Sequence, residues 1–96
     1  MARLIRTDGT QETIRPKDES QGFRFEGELY ELLGCDLIEI IHLAAGRLML
    51  LDEEGKLRRP RKPMNEKATR LLHEAGGSPF DVVLGDVALL EPGELK

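Results

Sequence analysis

The chain has one cysteine, no tryptophan and four aromatic rings, Phe23, Phe25, Tyr30 and Phe80. A single thiol, Cys35, excludes an internal disulfide and a cysteine-based zinc site, and suits a reducing, cytoplasmic compartment. No apolar run approaches the roughly 18 residues that a spanning helix needs, so no membrane segment is expected. The start, Met1 to Arg6, lacks the apolar stretch of a signal peptide. There is no glycine-rich phosphate loop, no Gly-x-Ser-x-Gly, no histidine-containing metal motif and no credible nucleophile–base pair. The expectation is a non-enzyme with no catalytic residue, no cofactor and no metal.

What is present fits one globular domain over 1–96. Hydrophobic residues make up 40% of the 96, too many for a disordered tail. A chain of this size buries about 60–65% of its unfolded surface and has room for one core. The net charge is −4, against a wholesale basic nucleic-acid binder. That total hides an uneven distribution. Between 56 and 70, Lys56, Arg58, Arg59, Arg61, Lys62, Lys67 and Arg70 face only Glu66, a local +6 that leaves −10 for the rest.

The pattern of residues predicts an α+β domain: a small, mostly antiparallel sheet, one long helix at about 65–75 and one short helix at about 28–33. Ala2 to Arg6 reads as a strand, Thr7-Asp8-Gly9 as a turn, and Thr10 to Arg15 as the antiparallel return, stopped by Pro16. Phe23 and Phe25, two apart, place two rings on one face of a short extended piece. Leu29, Leu32 and Leu33 give a helical stripe, with Gly34 as C′ residue. Asp36 to Leu43 is apolar on both faces and is expected at the middle of the sheet, with Arg47 to Asp52 as its hairpin partner. Asn65 is a favoured N-cap for a helix carrying Ala68, Leu71, Leu72 and Ala75 on one side. Phe80 to Leu84 and Val87 to Leu90 read as one strand interrupted at Gly85-Asp86.

The succession of segments resembles a family of short domains of unknown function found in bacteriophages, mobile elements and some of their bacterial hosts. It is carried by Asp52-Glu53-Glu54-Gly55-Lys56, Asn65-x-x-Ala68-Thr69 and Gly85-Asp86-Val87, set in order behind Thr7-Asp8-Gly9, Leu29 to Gly34 and Ile38-Glu39-Ile40. It covers nearly the whole chain, departing where Leu57 to Lys62 is longer and more basic than the family pattern. It implies an accessory gene product and brings no activity or catalytic residue with it.

Candidate sites follow from side-chain chemistry. The stretch 56–63, with five cations in eight residues and leading into a helix N-terminus, reads either as a solvated loop or as an anion site for nucleic acid or a small nucleotide. Protein docking is a further reading. The rings do not interleave with the cations, which argues against a single-strand stacking platform. Pro60-Arg61-Lys62-Pro63 matches a minimal proline-rich ligand only weakly. Cys35, behind the end of a helix and before Asp36, reads as an inert packing residue. His42 and His73 lack metal-ligand spacing, and His73 suits a helix end. Glu39 either lies near a sheet edge, pairs with Arg3, Arg6 or Arg47, or walls a polar pocket. The function expected is stoichiometric binding to a host protein, with a phosphate-bearing ligand on 56–70 as the alternative. A homodimer through a sheet edge such as Ala88 to Leu90 is open.

Overall fold

Alternation of apolar side chains along the strands builds a sheet with a core on each face. The computed structural model describes residues 1–95. Five antiparallel strands, β1 (Arg3–Ile5), β2 (Gln11–Thr13), β3 (Ile38–His42), β4 (Leu48–Asp52) and β5 (Val87–Leu90), lie in the order β2-β1-β5-β4-β3. In the register Leu4↔Ala88↔Leu50 and Arg3↔Leu89↔Met49, odd and even positions separate cleanly. Leu4, Leu50, Ala88 and Leu90 meet Phe23, Leu29, Leu33 and Cys35 on one face; Ile5, Met49, Leu51, Val87 and Leu89 meet Ala68, Leu72 and Val83 on the other. Each such aliphatic side chain contributes about 1.5–3 kcal/mol when fully buried.

The first face is covered by a wide helical turn over Phe25–Leu29 that runs into α1 (Tyr30–Leu33). Glu26 and Gly27 leave helical geometry inside that turn, so the regular helix is shorter than 28–33. Gly34 ends it in the left-handed conformation (φ 63°), where its missing Cβ removes the steric cost. Phe23 is buried and bridges to Leu95, while the Phe25 ring lies 5.9 Å from that of Tyr30. The second face is covered by α2 (Glu66–Glu74), nine residues long. It is therefore the main regular helix but no longer than the Phe25–Leu33 stretch.

Three expectations are corrected. The strand at 38–42 is an edge, not the centre. It is apolar on both faces because it overhangs both helical layers, with Ile38 packed on one core and Ile41 on the other. The centre belongs to β5, all four of whose residues are buried, so Ala88 to Leu90 is not an edge available for pairing. Phe80 to Leu84 is not a strand: after Gly77 the chain turns, and only Leu84 bridges, to Met64.

Asn65 locks α2 to the sheet. Its Oδ1 accepts from the Ala68 N–H at 3.0 Å, and its Nδ2 donates to the Ile5 and Gly85 carbonyls at 3.0 Å each. Its backbone N–H donates to Val83 O, and Thr69 Oγ1 accepts from Val83 N–H at 2.9 Å. The side chain is 1% exposed, so every lost bond leaves a buried group unpaired. Asn65→Ala is expected to cost about 2–4 kcal/mol in urea unfolding. Asn65→Asp, which keeps the cap acceptor but aims a carboxylate at two carbonyls, should cost at least as much; wild-type stability of Asn65→Asp would show that the two Nδ2 bonds contribute nothing.

Candidate docking surface

The end of β4 carries a carboxylate inward, and the basic segment folds around it. Asp52 is 3% exposed. Its Oδ2 accepts from Arg58 Nε at 2.5 Å and lies 2.9 Å from Lys62 Nζ; its Oδ1 accepts from the Glu54 N–H. The same two cations reach the end of α1: Lys62 Nζ donates to Leu33 O at 2.9 Å, and Arg58 donates to Gly34 O at 3.3 Å. These carbonyls are the last-turn acceptors that a helix leaves unpaired. Loop amides close the arrangement, with Gly55 N donating to Asp52 O and Lys62 N to Gly55 O. Gly85, at φ +86°, lies against the Lys62 stem, and a Cβ there would stand 2.7 Å from Lys62 Cδ.

Burial opposes ionisation of Asp52, but the hydrogen bonds from Arg58, Lys62 and Glu54 outweigh it and hold its pKa below the usual 3.8. Cys35 sits near this centre. Burial first, and then the Asp52 charge, push its thiol above its ordinary value, which suits an inert core residue.

The structure thus divides the seven cations. Arg58 and Lys62 are structural staples, and Lys56 pairs with Asp81 at 2.5 Å. Arg59, Arg61, Lys67 and Arg70 are exposed, with no side-chain partner among the described residues. Among the remaining candidates, Glu39 is exposed on the edge strand opposite Leu51. His42 is exposed on that strand, and His73 Nε2 bonds to Asp81 O at 2.8 Å. Among the described residues no three His, Cys, Asp or Glu side chains gather as a metal site would need. No described helix is long and apolar enough to cross a membrane.

The Lys56–Asp81 pair ties two loops together and displays the residue next to each partner. Phe80 is 94% exposed and Leu57 73%. Sequence reasoning missed both, placing Phe80 in a strand and Leu57 in a solvated run. The signals were Gly76-Gly77-Ser78-Pro79 directly before Phe80 and an isolated leucine between two cations. Behind these loops lies a crevice of about 80 Å³ bordered by Glu39, Ile41, Lys56 and Asp81. These loops carry exposed apolar side chains, and Leu57 precedes the exposed Arg59 and Arg61 in the chain.

The segments 52–56, 65–69 and 85–87 all have structural roles. Asp52 is the staple, Asn65 and Thr69 pin α2, and Asp86 Oδ1 accepts from Thr7 N–H at 3.0 Å beside Gly85. Comparison of the chain with protein-family models, with curated proteins and with solved structures finds no match in any of the three.

Because the folded pKa of Asp52 is depressed, its contribution to stability is present in full above the unfolded value and is lost as pH falls through the folded one. Chemical unfolding followed from pH 7 downward should show stability declining below about pH 4. Asp52→Asn should cost about 2–4 kcal/mol at pH 7, by removing the buried charge that Arg58 and the half-buried Lys62 pair with, and should flatten that acid limb. An unchanged acid limb in the variant would place the titrating group elsewhere.

Proposed function

We propose that the protein is a non-enzymatic accessory protein, phage- or mobile-element-borne, that acts in the cytoplasm by stoichiometric binding to a host protein through its 56–62 and 78–82 loops. The observation that carries this reading is Phe80. A ring left 94% exposed, on a loop tied by Lys56–Asp81 to the one that carries a 73%-exposed leucine, gains nothing for the fold, whereas exposed aromatic anchors concentrate binding energy at interfaces. The partner suited to it has an apolar pocket for Phe80 and carboxylates opposite Arg59 and Arg61. The resemblance to short phage domains supports the accessory role.

A second reading rests on the four cations that the fold leaves without partners. Arg59, Arg61, Lys67 and Arg70 would bind a phosphate-bearing ligand, a nucleic acid or small nucleotide, with the charge-assisted geometry that guanidinium groups provide.

Binding of host proteins to the immobilised chain, quantified at low and high salt, separates the two. Phe80→Ala should leave stability within about 0.5 kcal/mol and lower affinity for the captured protein by tenfold or more. Wild-type binding by Phe80→Ala and Leu57→Ala would remove the first reading. Under the second, the log of affinity should fall by about 0.9 per log unit of salt for each phosphate neutralised, and neutralising the four cations should abolish binding.

A further inference from the structure

The two edges of the sheet are treated differently. On β2, Arg6 N donates to Thr10 O and Ile14 N to Ala2 O, so Gln11 and Thr13 point their backbone groups outward. That strand is three residues long, polar and exposed, and Pro16 follows it. It has the protections that natural edges use against pairing. On β3, Glu53 N donates to Leu37 O and Leu43 N to Arg47 O. Because inward and outward groups alternate in an antiparallel pair, Ile38, Ile40 and His42 direct their N–H and C=O groups at the free edge. No hydrogen bond to another element engages them among the described residues. The strand is five residues long with no lysine, proline, glycine or bulge, and it leaves Leu37 49% and Ile40 37% exposed.

We propose that this edge pairs with β3 of a second copy, antiparallel, across a two-fold axis at Ile40 and perpendicular to the sheet. The side chains select both the occupant and the register. A two-fold at Glu39 would set like charges directly opposite, which is destabilising. A two-fold at Ile40 sets Ile40 against its twin, Ile38 against His42 and Glu39 against Ile41. It also sets Leu37 against Leu43, covering the more exposed leucine. All three outward N–H groups of each copy then find a carbonyl. A perpendicular axis keeps equivalent faces together, so the α1 layers continue on one side and the α2 layers on the other. Both crevices bordered by Glu39, Ile41, Lys56 and Asp81 then open on the same face. The dimer stands independently of the docking role of Phe80.

Light scattering over a concentration series is expected to reach twice 10.8 kDa, and Ile40→Lys, which adds the missing edge guard, should stay monomeric. A monomer mass throughout for wild type, or a dimer that survives Ile40→Lys, would overturn the proposal. The register is read by oxidation of single-cysteine additions, which does not depend on Ile40→Lys folding. Opposed residues in a hydrogen-bonded pair stand about 5.5 Å apart at Cα, within the disulfide range of about 4.4–6.8 Å, so Ile40→Cys should link covalently. Ile38→Cys, more than about 13 Å from its twin, should not, whereas Ile38→Cys with His42→Cys should. Linking by Ile38→Cys alone, or failure of Ile40→Cys, would contradict the proposed register.

Discussion

Everything on the basic side of the molecule depends on one buried carboxylate. Asp52 ends β4 facing inward, and a charge in that position must be paired. Arg58 and Lys62 supply the pairing, and the same two side chains take up the carbonyls that α1 leaves open at Leu33 and Gly34. A segment that would otherwise repel itself is thereby folded against the body, and its end is delivered to Asn65 at the start of α2. The Lys56–Asp81 pair then fixes the neighbouring loop. Its ends are about half exposed, so solvent screens it and it adds little to stability. Its consequence is geometric: the loops that carry the exposed Leu57 and Phe80 are tied to each other.

The local grammar of the chain was readable. Asn65 as N-cap, Gly34 as a left-handed terminator, the turn at Gly9 and the hairpin at 44–46 follow from chemistry within a few residues, and all are present. Strand order was not readable. The run at 37–43 is longer than Val87 to Leu90 and carries three isoleucines, yet the latter is central because its neighbours β1 and β4 pair on both sides of it. Such placement depends on contacts between residues distant in sequence. The basic site was legible as charge but not as structure. Nothing in the spacing of Arg58 and Lys62 announces that they converge on Asp52, since that requires knowing that Asp52 points inward.

Charge and shape therefore separate the molecule into distinct surfaces. The local +6 resolves into three cations held by Asp52 and Asp81 and four that face solvent. The two sheet edges also differ: β2 is short, polar and followed by Pro16, while β3 is longer, holds three isoleucines and is open. Exposed apolar groups occur at Phe80, Leu57, Leu37 and Ile40, away from the helix faces that complete the two cores. Under the proposed binding role, this division would set a polar-pinned body behind the loops that make contact.

The central claim is that Asp52 holds the basic segment in place. Amide hydrogen exchange, compared between wild type and Asp52→Asn at pH 7, tests it most directly. The account predicts that protection falls at Gly55 and Lys62, whose N–H groups bond within the loop, while β1, β5 and the body of α2 keep theirs relative to global stability. Unchanged protection of Gly55 and Lys62 would contradict it, as would a uniform loss across the sheet.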